Sequence, residues 1–214
     1  MSKTVYKLNV QLKGAKPECF RTFIIRSDCK MMTLASTIIA IFNGNASHIY
    51  SFDVPAKKLD VQIYIDEGMN DSDDDFAINV RHEQPSKHVD ARKYKISDCF
   101  EKVGDEAAFL YDFGDGWQFD IRLQEIIEDQ VYEEVSPWVL EGSGLGIIED
   151  CGGIGGLERI QEVFEQGEGE EYEGYCDWLG TSNIDFTKFN RTAINKKLAK
   201  EVAKIDRAYK NPSL

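Results

Sequence analysis

Two aspartates stand at a chain reversal where polar side chains can converge: Asp112 and Asp115 in Tyr111-Asp112-Phe113-Gly114-Asp115-Gly116-Trp117. Gly114 and Gly116 are free to take positive φ, and the flanking runs, Phe109 to Phe113 and Trp117 to Leu123, are rich in aromatics. Two strands reversing through a short turn is the expectation. His48, Glu149 and Asp150 also lie beside a strand pattern or a glycine-rich turn. One imidazole among several carboxylates suits a hard or borderline divalent cation such as magnesium, manganese or zinc. His48, Asp112 and Asp115 form the candidate ligand set, with a divalent metal as the candidate cofactor. The same group would serve acid–base catalysis if burial separated two carboxylate pKa values. The competing structural reading makes the aspartates acceptors for amides of their own turns and His48 a hydrogen-bonded strand residue.

Cys151 precedes Gly152-Gly153, whose amides would suit an oxyanion next to a nucleophilic thiol. That chemistry needs a base, and among His48, His82 and His88 two fall in a polar stretch. The glycine pairs 152–153 and 155–156 resemble a phosphate cradle ahead of a helix but lack the lysine and Ser/Thr of a P-loop. Tyr111, Trp117 and Trp178 either surround the site or fill the core, and the core is the preferred reading.

The elements that would position these groups follow from periodicity. Residues 5–12 alternate, with Tyr6, Leu8, Val10 and Leu12 on one face, and 19–26 are rich in β-formers; a hairpin joins them through Gly14 and Pro17. Thr33 caps a helix to about Phe42 that buries Leu34, Ile38, Ile41 and Phe42, and Gly44 stops it. Alternation resumes over 48–54 and again near 61–65. Asp66 to Asp75 lacks the ligand order of an EF-hand and reads as a solvated loop inside a polar excursion at about 66–92. Ser97 caps one helical turn before the central hairpin. Helical spacing returns at Leu157, Ile160 and Val163, and a last helix starting at Asp185 or Thr187 carries Ile194, Leu198, Val202, Ile205 and Tyr209.

The expectation is one domain over 1–214: a sheet-rich core at 1–127 and a helical part at 155–210. The fold class is α+β, a mainly antiparallel twisted sheet of about five or six strands with an early packed helix, in a β-grasp-like order.

The chain of 214 residues carries a net charge of −13 and a pI near 4.7. Acidity of this order repels phosphate backbones, so no nucleic-acid partner is expected. Lys196, Lys197, Lys200 and Lys204 are spaced as a solvated helix face. The five cysteines are scattered without a CxxC pair, which leaves zinc ribbons and thioredoxin-type sites unsupported. No apolar run approaches the roughly 18 residues of a membrane span, so the expected location is the cytoplasm, with reduced thiols and no membrane partner.

Four ordered blocks resemble the plasmid pRiA4b ORF-3-like family: Tyr6 to Gly14 with Pro17 and Phe20-Arg21; Ser47 to Phe52; Tyr111 to Trp117; and Glu149 to Gly153. Glu173 to Gly180, Phe186 and Phe189 follow in the family's order, so the likeness covers about residues 5–195. Departures fall at Phe20 and Gly44, where the family has tryptophan, at Ile148, where it has proline, and at Leu157, where it has an aromatic. The family commonly has histidine where Phe119 stands. The resemblance implies an α+β fold and no settled activity. The leading expectation is a non-enzymatic acidic binding or adaptor module for a protein or basic peptide. The alternative is a divalent-metal-dependent hydrolase built on His48 and the carboxylates.

Overall fold

A computed structural model describes residues 4–62, 87–128 and 137–210. The acidic loop at 66–75, His82, most of the polar excursion, residues 63–65 and Pro212 lie outside the described residues. Eight strands form one sheet: β1 (Val5–Leu12), β2 (Phe20–Arg26), β3 (Tyr50–Val54), β4 (Leu59–Gln62), β5 (Lys87–Asp90), β6 (Glu106–Tyr111), β7 (Trp117–Ile127) and β8 (Trp138–Ser143). Their order is β5-β4-β3-β6-β7-β1-β2-β8. Among the described strands only β4 and β5 pair in parallel. The expected α+β class therefore holds with more strands than periodicity suggested. The hairpin–helix–strand order of a β-grasp is kept, with β7 and β6 standing between β1 and β3.

Among the described residues the helices are α1 (Met31–Ile41), the single turn α2 (Ile96–Cys99), α3 (Gly153–Gln166), α4 (Glu170–Leu179) and α5 (Arg191–Lys210), and a 3₁₀ turn spans Pro55–Lys57. Alternation along β6 and β7 sends Phe109, Tyr111, Trp117, Phe119, Ile121 and Leu123 inward and leaves Glu106, Asp120 and Arg122 on an open face. The inner face joins α1 and α5 in one core: Phe42 packs edge-on to Phe119 at 4.8 Å, and Leu198, Val202, Ile205 and Tyr209 line the buried side of α5.

Helix α1 is buried on nearly every side, so it does not start as its sequence suggests. Thr33 is not its cap. Lys30 holds that position without a side-chain bond, and the first amides donate to the carbonyls of Tyr94 and Ala91 at 2.9 and 3.1 Å. Thr33 and Ser36 instead donate their hydroxyls to Asp206 of α5, at 3.0 and 2.6 Å. Similarly, the helical turn begins at Ile96 after Lys95, whose amide donates to Asp98 at 2.7 Å. Helix α3 starts at Gly153, ahead of the first apolar repeat, and α5 starts at Arg191.

The other end of α1 is held by Arg21, which is 1% exposed and faces no carboxylate among the described residues. Its guanidinium donates to the carbonyls of Ile41 (3.1 Å), Phe20 (2.7 Å), Gly144 (2.8 Å) and Ser143. Its plane lies between the rings of Phe42 and Phe189, at 4.9 and 4.8 Å. Four carbonyl dipoles and two aromatic faces thus replace the water the cation has lost. Arg21→Met keeps most of the volume and leaves those carbonyls without donors, so urea denaturation is expected to show a loss of about 3–5 kcal/mol. Arg21→Lys should recover only part of it, since an ammonium cannot reproduce the planar fork.

Candidate functional site

Strand register brings the first two groups together. Tyr50 of β3 pairs with Tyr111 of β6, and the Asp112 amide donates to the Ile49 carbonyl at 3.1 Å, so His48 and Asp112 leave the sheet side by side. Asp112 takes a left-handed conformation, φ 56°, and its Oδ1 accepts the amides of Gly114 (2.9 Å) and Asp115 (3.3 Å). The turn thereby fixes one oxygen of Asp112 and leaves Oδ2 facing the imidazole, 3.4 Å from His48 Nε2.

The remaining groups arrive on the segment after β8. Gly146, at φ 109°, passes against the exit of α1, where a Cβ would come within 2.4 Å of the Phe42 carbonyl. The Ile147 amide donates to that same carbonyl at 2.8 Å. Glu149 is then clamped through Oε1, which accepts the Asn45 amide at 2.6 Å and the Tyr111 hydroxyl at 2.8 Å. Burial, reinforced by the bond to Glu149, pushes the Tyr111 phenol well above its ordinary range, so it stays a proton donor. Glu149 Oε2 is buried without a partner, 3.8 Å from His48 Nε2. Asp150, also left-handed at φ 60°, places Oδ1 at 3.5 Å from the same nitrogen.

His48 Nε2 is itself buried and makes no hydrogen bond. Three carboxylates surround it at 3.4–3.8 Å, all beyond ordinary hydrogen-bond length. Ligand atoms of a tetrahedral cation bound at about 2.1 Å stand about 3.4 Å apart. His48, Asp112 and Asp150 offer three ligand atoms within 4.8 Å of one another, so this cluster could hold a metal ion.

Asp115 has a different place from the one its spacing suggested. Its Oδ2 accepts the Gly152 amide at 3.3 Å, and its carbonyl lies 2.1 Å from where a Cβ on Gly153 would sit. It latches the hairpin to the start of α3, and Asp150 stands with the imidazole instead. Cys151 donates weakly to the Gly153 carbonyl at 3.5 Å, and burial, aided by the Asp115 carboxylate, pushes its thiol up to about 12. That keeps the thiol protonated and unsuited to nucleophilic attack. Trp117 and Tyr111 are fully buried, Trp178 is 49% exposed on α4, and Phe119 packs at 5.7 Å from Phe109 in the core.

Two positioning groups escaped the sequence reading. The Asn45 amide is a backbone donor with no side-chain signature. Tyr209, which periodicity placed in the core, also donates its hydroxyl to the His48 carbonyl at 2.7 Å. Gly44 gave a partial signal: a Cβ there would meet Ile39 at 2.7 Å and Glu149 Oε1 at 3.3 Å.

The family described as plasmid pRiA4b ORF-3-like protein matches residues 4–195. The chain belongs to this family. The chain is similar to the uncharacterized protein y4hQ of Sinorhizobium fredii, 25% identical over 197 residues, covering 92% of this chain and 91% of that one. The chain also resembles the crystal structure of MM3350 from Methanosarcina mazei Go1, a protein of unknown function. That chain is 28% identical, with a TM-score of 0.71 over 90% of this chain and 97% of its own. No helix among the described residues is long and apolar enough to cross a membrane.

Two outcomes are expected of the site's supports. Alkylation of Cys151 by iodoacetamide at pH 8, followed by peptide mass mapping, should run about a thousandfold slower than for an ordinary thiol. Gly153→Ala should lower stability by about 2–4 kcal/mol, because a left-handed alanine would drive its methyl into the Asp115 carbonyl.

Proposed function

We propose that this protein is a divalent-cation-dependent hydrolase whose cation is held by His48, Asp112 and Asp150. The supporting observation is the buried, unpartnered Nε2 of His48, ringed by carboxylate oxygens at metal-edge rather than hydrogen-bond separations. Both aspartates occupy left-handed backbone positions, and strain of this kind gathers at functional sites. A mixed set of one nitrogen and several oxygens favours manganese or zinc over calcium.

A cation held there supplies Lewis acidity and makes water more acidic. Glu149 Oε2, the oxygen its clamp leaves free, would accept the proton of the attacking water. The Tyr111 hydroxyl and Asn45 amide fix the other oxygen, so the carboxylate is aimed before substrate arrives. Asp115 and Gly152 keep the two turns in register without touching the reacting atoms.

Thermal unfolding with manganese, zinc and magnesium, after chelator treatment, tests the cation site. A cation at about one hundred times its Kd should raise Tm by about 5–10 °C. Asp112→Asn and Asp150→Asn should abolish the shift, whereas Asp115→Asn should keep it. Asparagine tolerates the left-handed backbone, so the first two variants isolate ligand chemistry. Glu149→Gln should retain the shift and reduce hydrolysis of a panel of chromogenic carboxylic and phosphate esters by about 10²–10⁴-fold. No shift with any of the three cations would overturn the reading.

A further inference from the structure

Helix α4 buries none of its residues completely. Its inner side is tied down by the Phe164–Tyr172 ring contact at 5.4 Å, by the Tyr172 hydroxyl donating to the Ser182 carbonyl at 2.8 Å, and by Arg159 bonding to Glu171 at 2.9 Å. The outer side is acidic and aromatic. Glu170, Gly174 and Trp178 follow one another at helical spacing, Glu173 and Asp177 form the adjacent row, and Tyr175 lies 6.1 Å from Trp178. The Trp178 side is open to solvent, with 49% of the residue exposed. Between Arg159 and Lys188 the chain has eight acids and no lysine or arginine.

Gly174 sharpens the case. A glycine inside a helix costs about 0.8–1.0 kcal/mol relative to alanine. A Cβ at Gly174 would meet nothing within 4 Å, so packing within this chain does not require the missing side chain. Its absence leaves backbone open between Glu170 and Trp178, where an extended segment can lie close to the helix.

We propose that this face of α4 docks a lysine- and arginine-rich segment of a partner protein. One cationic side chain lies on the Trp178 indole, the strongest of the aromatic cation acceptors, and Glu170, Glu173 and Asp177 take its neighbours. The charge decides between occupants. A second copy carries the same net charge of −13 and is repelled at long range, whereas a basic segment is steered in. This surface is independent of the cation site, and variants on α4 are expected to leave cation binding unchanged.

The test is fluorescence anisotropy of the full chain with a labelled peptide of alternating arginine and alanine, at about 0.15 M salt. Trp178→Ala should weaken binding about threefold to fivefold. Glu173→Gln combined with Asp177→Asn should weaken it about threefold. Gly174→Gln should raise Tm through helix propensity and yet weaken the peptide, a pair of opposite signs that general destabilisation cannot produce. Glu106→Gln with Asp120→Asn, on the open sheet face, removes the same charge and should stay within about 1.5-fold. Equal losses from the sheet-face and α4 pairs, or unchanged affinity in Trp178→Ala, would overturn the proposal. So would sedimentation equilibrium showing a dimer that Trp178→Ala disperses.

Discussion

The guanidinium of Arg21 is the constraint on which the arrangement of this molecule rests. A buried cation is costly unless its donors are used, and here they go to carbonyls at the end of α1, in β2 and at the end of β8. These segments are distant in sequence. The chain leaving α1 at Ile41 runs through Gly44 and Asn45 to His48, and the chain leaving β8 at Ser143 runs through Gly146 to Glu149 and Asp150. One planar fork therefore sets the starting points of two of the three segments that form the site. The third, the β6–β7 turn, is fixed independently by the pairing of Tyr50 with Tyr111 and of Tyr111 with Trp117.

Seen from the cluster outward, the division of labour among carboxylates is set by which oxygen is already occupied. Asp112 spends Oδ1 on its own turn, Glu149 spends Oε1 on Tyr111 and Asn45, and Asp115 spends Oδ2 on Gly152. Asp112 and Glu149 each turn their other oxygen toward His48, and the exposed Asp150 completes the ring. The site is thus partly preorganised, with a buried half made of His48, Asp112 and Glu149 and an open side at Asp150.

Much of the scaffold was legible from periodicity. The alternations of β1, β6 and β7, and the repeats of α3 and α5, correspond to buried faces because each element buries one side. Elements that bury both sides or none gave weaker signals. Helix α1 is apolar nearly all round, which hid its start, and α4 has no buried residue to mark a period. Strand β8 was obscured by Gly142, yet a Cβ there would come within 2.7 Å of the Phe20 carbonyl, so that glycine serves close strand approach rather than a break. At the candidate site, residue types singled out His48, Asp112, Asp115, Glu149 and Asp150, and all of these carboxylates but Asp115 stand around the imidazole. Spacing could not show whether Asp115 or Asp150 would face the imidazole, because that depends on a latch between segments 37 residues apart.

The bond from Tyr209 to the His48 carbonyl spans 161 positions of the chain. Translation proceeds from the N-terminus at about 5–20 residues per second, so the phenol leaves the ribosome roughly 8–32 s after the carbonyl it holds. For roughly the last 3–12 s of that interval His48, Asp112 and Asp150 have all been made while the clamp on the His48 backbone is still missing. The local hairpin pairings are available earlier, and the finished geometry of the cluster waits for α5.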